Sequence, residues 1–305
     1  MVEIPCPVCG SEKREKLLTG GDYICASPLE FTLVTCGECG LVYLCPRPEA
    51  ADLEAHYGNE YREWQSPPAS GLASRFRVLG VRRKVRAVAE AGGRGRLLDV
   101  GCGYGDFLQG AREAGFEVSG TELESEQARR ASELSGADVR AGGLEECSFE
   151  TSSFDVITLW HVLEHLPDPV GTLTIARELL KPGGTIVVGV PDSGSWAARL
   201  FGPYWAGYDT PRHLCDFSAA TLEDALRRAG FAARSRSYFM GTYDNVRISL
   251  EFLIKDRVPE GQMKSILLRL IGGPLARLVL TGPTIALQVL GRGTVVTCFA
   301  NRAVA

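Results

Sequence analysis

One stretch constrains the fold of this chain more than any other. It reads RLLDVGCGYGDFLQGAREAG, from Arg96 to Gly115. Leu97 to Val100 is apolar enough for a buried strand. Gly101, Gly103 and Gly105 follow as a GxGxG loop, in which missing Cβ atoms let the backbone approach a ligand. A helical run passes through Phe107 and Leu108. A second strand, FEVSGTELE, then ends at Glu122. Strand, glycine turn, helix, strand and acid predict a right-handed βαβ unit of an open sheet. Its ligand sits at the C-terminal edge of the strands.

A glycine loop alone is weak evidence, because dinucleotide enzymes use similar loops. The spacing separates the two cases. A GxGxxG fingerprint needs glycine at 106, where Asp106 stands. A pyrophosphate also gains from a helix N-terminus without acids. Acids at Asp99 and Asp106 suit a cationic ligand instead, held through charge-assisted bonds. Glu122 is placed to accept hydrogen bonds from both hydroxyls of a ribose.

Four motifs in order, LLDVGCGYGDFL (97–108), VSGTELES (118–125), FDVITLWHVLEHLPDP (154–169) and LLKPGGTIVVGVP (179–191), carry a family resemblance. The chain resembles the class I S-adenosylmethionine-dependent methyltransferases over about 75–240. The resemblance implies an α/β fold: a Rossmann-like, mostly parallel seven-stranded sheet with flanking helices, the last antiparallel strand near 294–302. It implies S-adenosylmethionine as cofactor, with Asp99, Gly101, Gly103 and Gly105 walling its methionine and ribose and Glu122 anchoring the ribose. It also implies an adenine loop at Gly143 and Leu144, and a cofactor floor or substrate threshold at Trp160 and His161. His161 and His165 are four apart, but Val162 replaces the glutamate of HExxH, so no metal is expected there.

The N-terminus carries a second pattern. Cys6 and Cys9 lie in CPVCG, and Cys36 and Cys39 in CGECG. Each CxxC turn aims two thiolates at one metal, and four thiolates suit tetrahedral structural Zn2+. Residues 1–60 are thus expected to form a small zinc-ribbon-like module whose folding depends on its metal. FTLVTCGECGLVYL fits two short strands around the second knuckle. A linker with the breaker cluster SPPASG (66–71) and a first helix fill 61–95, and 96–305 form the methyltransferase domain. The basic residues of the helix, Arg75, Arg77, Arg82, Arg83, Lys84 and Arg86, read as a solvated face.

The acceptor side is expected in the polar, aromatic stretch after the fifth strand. It resembles a family subset with W-x-x-x-D-x-PRH-x-x-x-F over the active-site mouth, here Trp205, Asp209, Pro211, Arg212, His213 and Phe217. His213 is the candidate base, since its ordinary pKa suits proton transfer near neutrality. Tyr204, Trp205, Tyr208 and Arg212 are candidate acceptor contacts. No [DNS]PP[YFW] segment or proline–cysteine pair follows the fourth strand, which disfavours methylation of adenine nitrogen and of cytosine C5. An oxygen of a small-molecule acceptor is the first choice.

Composition bounds the rest. The chain has 305 residues, 45% of them hydrophobic, and a net charge of −4. That gives no basic footprint, so a nucleic-acid partner is not expected. The first residues lack a secretory pattern, which leads us to expect a cytoplasmic protein, at most peripheral to a membrane. About fifty residues (242–292) precede the final strand and read as apolar helices. Three uses stay open for them: a lid over a greasy acceptor, a homodimer contact, or a peripheral membrane surface. Two whole-protein alternatives also stay open. One is an RNA or protein methyltransferase that uses the zinc module for recognition. The other is a non-catalytic cofactor-binding scaffold.

Overall fold

The structure is a computed structural model and describes residues 1–25, 27–58, 61 and 72–303. The boundary expected at 66–71 lies outside the described residues. The chain falls into two compact units. One comprises Met1–Ser66, Pro191–Thr221 and Ser237–Val296. The other comprises Pro67–Val190, Leu222–Arg236 and Thr297–Ala305.

The first unit begins with β1 (Arg14–Gly21), β2 (Glu30–Cys36) and β3 (Val42–Leu44), each antiparallel to the next. β2 is covered on both faces at its centre, where the neighbours Leu33 and Val34 point to opposite sides and are both buried. Phe31, Leu33 and Val34 are buried, while Glu30 is exposed. The two strands expected around the second knuckle are therefore present.

The second unit is built on an open sheet. β4 (Arg96–Val100), β5 (Glu117–Glu122), β6 (Asp138–Ala141), β7 (Phe154–Trp160) and β8 (Leu180–Pro191) run parallel to their neighbours. Leu97 to Val100 are all buried, as a strand covered on both faces requires. The helix Asp106–Glu113 crosses from β4 to β5, and Ser125–Ser135 from β5 to β6. The helix Pro169–Leu179 has an N-cap at Asp168, whose side chain accepts from the Gly171 N–H, and proline at the first helical position.

Past β8 the chain enters the first unit again, where β9 (Cys215–Asp216) pairs antiparallel with β3 and completes a four-stranded sheet. β10 (Phe231–Ser237) and β11 (Val295–Arg302) complete the large mixed sheet, whose order is β10-β11-β8-β7-β4-β5-β6. Between them lie three helices, Thr242–Arg257, Gln262–Gly272 and Pro274–Val289. Among the described residues no single helix is long and apolar enough to cross a membrane; the last two pass that test only as a pair bent by 54°.

Candidate functional site

The cofactor-side candidates come together at the C-terminal ends of β4 to β7. Gly101, Gly103 and Gly105 all have positive φ, at +64°, +57° and +82°. Two of them are glycine because of packing. A Cβ on Gly105 would lie 2.9 Å from the Ala131 Cα, and one on Gly101 would lie 2.6 Å from a Val162 methyl carbon. Gly103 differs. A Cβ there would meet only the end of the Gln127 side chain, Nε2 at 3.7 Å, so a methyl group fits with ordinary contact.

Glu122, the last residue of β5, accepts a hydrogen bond from the Gly103 N–H at 2.9 Å. A carboxylate has about four lone-pair sites, so it retains capacity for ribose hydroxyls. Its main-chain carbonyl accepts from the Gly142 N–H at 2.9 Å, which brings the loop with Gly143 and buried Leu144 beside the same strand end. Burial raises the Glu122 carboxyl above the usual range, opposed by the backbone N–H groups of Gly103, Glu124 and Leu123.

Asp99 is buried at the heart of β4. The Thr158 hydroxyl of β7 donates to it at 2.5 Å. Burial pushes Asp99 up to about 7, although Thr158 and the Lys84 ammonium both favour its charged form. Lys84 corrects the expected solvated face. Its Nζ stands 4.8 Å from the centre of the Trp160 ring, and burial pulls it down to about 8 against the attraction of Asp99 and Asp106. The sequence held a signal for this. Val81, Lys84, Val85 and Val88 fall on one helical stripe, and Val85 and Val88 are buried. Arg77 of the same helix pairs with Asp106.

Trp160 is buried with its ring edge-on to Phe107, 5.6 Å between centres. His161 has φ +59° and donates its N–H to Gly189 O at 2.9 Å, which turns the chain sharply at the end of β7. Its Nδ1 lies 3.3 Å from buried Glu164, and its side chain is 41% exposed. Asp99 and Glu122 thus place two carboxylates near the C-terminal ends of β4 and β5, groups suited to hydroxyl or cationic partners.

The cysteine cluster lies in the first unit. The Sγ atoms of Cys6, Cys9, Cys36 and Cys39 are all within 4.8 Å of one another, with Cys6–Cys39 at 3.6 Å and Cys9–Cys36 at 3.5 Å. Four sulfurs around one Zn2+ at about 2.3 Å stand roughly 3.8 Å apart, so the set fits a tetrahedral metal. The two knuckles repeat one geometry. Gly10 donates to Cys6 O and Gly40 to Cys36 O, with φ of +75° and +76°. Burial raises the Cys36 thiol, but the backbone N–H groups of Cys39 and Glu38, with help from neighbouring thiols, outweigh it and bring it to about 7. The cluster is able to chelate a metal.

The acceptor-side candidates belong to this same first unit. Arg212 is fully buried. Its Nη atoms donate to both Asp22 oxygens at 2.8 and 2.9 Å, and its Nε to Asp209 at 3.0 Å; Nη1 also reaches His56 O at 3.0 Å. Expected at an acceptor, this guanidinium is instead saturated by carboxylates of its own unit. Asp22 and His56, bonded to each other at 2.7 Å, are partners that sequence reasoning missed. No local pattern links residues 190 positions apart.

His213 is buried, and its Nδ1–H donates to Gly207 O at 2.7 Å. A carbonyl only accepts, so this bond puts the basic lone pair on Nε2. Tyr204 donates to Asp256 and accepts from Arg257, both at 2.5 Å. Trp205 and Tyr208 stack edge to face, 4.8 Å between ring centres. With Tyr23 and Phe252 they line a small depression.

Comparison with known proteins bears on this arrangement. A methyltransferase-domain model matches residues 73–236, more than half the chain. A ubiquinone biosynthesis O-methyltransferase of Cereibacter sphaeroides is 34% identical over 146 residues, covering 44% of this chain and 59% of its own length. One from Xanthomonas oryzae pv. oryzae is 37% identical over 147 residues, covering 44% of this chain and 61% of its own. The chain thus spans about three fifths of the curated relatives it matches. The crystal structure of an S-adenosylmethionine-dependent methyltransferase from Mesorhizobium loti superposes with a TM-score of 0.51 at 18% identity, covering 74% of this chain and 100% of that one. At that identity the likeness concerns the fold.

Proposed function

The chain belongs to the methyltransferase domain family, and from that premise we propose that it transfers the methyl group of S-adenosylmethionine to an oxygen of a small-molecule acceptor. The observation that carries the reading is the strand-end pair of Gly103 and Glu122, in which the loop N–H holds the carboxylate and the glycine leaves room beside it. Asp99 beside it favours a cationic ligand. The similarity to O-methyltransferases at 34–37% identity supports oxygen as the acceptor atom.

When bound, the cofactor supplies a methyl group already activated by positive sulfur. The protein's task is then largely positioning. Glu122 holds the ribose, the loop at Gly143 and Leu144 meets the adenine, and Trp160 and His161 form the floor toward the acceptor. His213 takes the acceptor's hydroxyl proton on Nε2, and Gly207 O holds the ring in the required tautomer. Trp205 and Tyr208 give an apolar wall for a small ring. Arg212 holds the segment in place and does not touch the acceptor. The four cysteines hold a structural zinc ion, which leaves no open coordination position for chemistry.

The test uses methyl-labelled S-adenosylmethionine with a series of phenols and catechols, following label transfer. His213→Gln is expected to lower kcat by about 10²- to 10⁴-fold while S-adenosylhomocysteine binds as before. Turnover unchanged by that substitution removes His213 as the base. A wild-type protein that binds no cofactor removes the whole reading.

A further inference from the structure

The helices Gln262–Gly272 and Pro274–Val289 are apolar, yet the fold leaves them on the outside. The first buries none of its residues, and the second buries Thr284 alone. Met263, Ile266 and Leu270 recur at helical spacing on an exposed face of the first helix. On the second, Leu275 is 66% exposed and Leu278 76%, and Val289 near its end is 81% exposed. The preceding helix, Thr242–Arg257, has its own buried side, with Val246 and Phe252 inside the unit. Exposed apolar side chains gathered on two consecutive helices are uncommon on monomers in water, which points to a covering surface.

Charge selects the cover. From Gln262 to Arg292 the sequence has four basic residues, Lys264, Arg269, Arg277 and Arg292, and no acidic one. The whole chain carries −4, so the rest of it carries −8. A +4 segment in an acidic protein, with its apolar face outward, matches an anionic apolar boundary. Lys264 is engaged by Glu260 and Arg277 stacks on Tyr243, whereas Arg269 and Arg292 are exposed. A second copy fits less well. In a two-fold pairing of this face each arginine meets only the partner's copy of the same segment, which offers no acid to pair with it.

Length fixes how the pair lies. Its members have 11 and 16 residues, and a spanning helix needs about 20. The break at Gly273 bends the pair by 54°. We propose that these two helices dock on an anionic lipid surface and lie within its headgroup layer, with apolar side chains inserted and arginines at the phosphates.

Vesicle co-sedimentation of the full-length protein tests this. The probes are phosphatidylcholine vesicles with and without phosphatidylglycerol, each at low and high salt. The expected result is partitioning onto the phosphatidylglycerol vesicles that high salt weakens several-fold. Arg269→Glu reduces it by about twenty-five-fold, since each unit of charge near such a surface contributes about a fivefold factor and the substitution changes the charge by two. Leu275→Glu with Leu278→Glu abolishes it while S-adenosylhomocysteine binding persists. If that double variant fails to fold, the single exposed change Arg269→Gln reports the same dependence.

Absence of partitioning at low salt overturns the proposal. So does equal binding to both vesicle types that Arg269→Glu does not change. A light-scattering mass of two copies, reduced to one by Leu278→Glu without any vesicle binding, assigns the face to a second copy and also overturns it. The experiment reads no turnover, so its failure leaves the methyl-transfer reading intact.

Discussion

Arg212 shows what a single buried charge does here. With two carboxylates and a main-chain carbonyl around it, its desolvation is offset only while every partner stays in place. Arg212→Ala leaves Asp22 and Asp209 without their cation. We expect a loss of about 3–5 kcal/mol in denaturant unfolding. Burial raises Asp22, but Arg212 outweighs it and holds the carboxyl below its usual range. The stability from this pair is therefore present above about pH 4, the unfolded value, and lost as pH falls through the depressed one. Asp99 behaves in the opposite sense. Burial holds it up to about 7, so at neutral pH part of the population is protonated. Its ionised form costs stability, a cost absent below about pH 4 and complete above 7. A cationic ligand favours the ionised form. Affinity for S-adenosylmethionine is therefore expected to fall as pH drops through about 7, and Asp99→Asn to bind more weakly with a flatter profile, both by calorimetry.

At the level of elements, three glycines of one loop carry different burdens. Gly105 lets the helix Asp106–Glu113 approach Ser125–Ser135, and a methyl group there strikes the Ala131 backbone. Gly105→Ala is expected to destabilise the sheet unit by several kcal/mol, from this contact plus about 1–2 kcal/mol for a left-handed residue. Gly103→Ala pays only the second cost. The protein should fold, but cofactor affinity should drop at least tenfold, because the new methyl occupies the room beside Glu122. Urea unfolding and titration with S-adenosylhomocysteine separate the two variants. Equal stability losses with unchanged affinity in both contradict the assignment of that room to the ligand.

At the scale of the whole molecule, the cysteine module and the acceptor segment are parts of one unit. β9 pairs with β3, Leu44 N–H donates to Leu214 O, and the Thr210 hydroxyl donates to Gly21 O at 2.8 Å. Arg212 adds the tie to Asp22. Metal removal should therefore loosen residues 203–217 as well as the cysteine knuckles. Amide exchange of that segment is expected to rise after chelation, while S-adenosylhomocysteine still binds the other unit. Exchange unchanged at 203–217 after complete metal loss disproves the coupling.

The sheet unit was legible in the sequence because its signals are local. An apolar strand, a glycine loop, a helix and an acid stand within 30 residues, and backbone sterics leave one handedness for them. The cysteine knuckles were legible for the same reason: Cys, two residues, Cys and Gly define a turn by themselves. Tertiary structure decided three things, the first of them foreshadowed by a helical stripe in the sequence. It turned Lys84 inward beside Asp99 and Trp160, because the stripe it shares with Val85 and Val88 packs against the sheet. It closed Arg212 on Asp22 and His56, a pairing set by strand order and not by spacing. It also left the late apolar helices outward, since burial depends on which surfaces the rest of the unit has already covered.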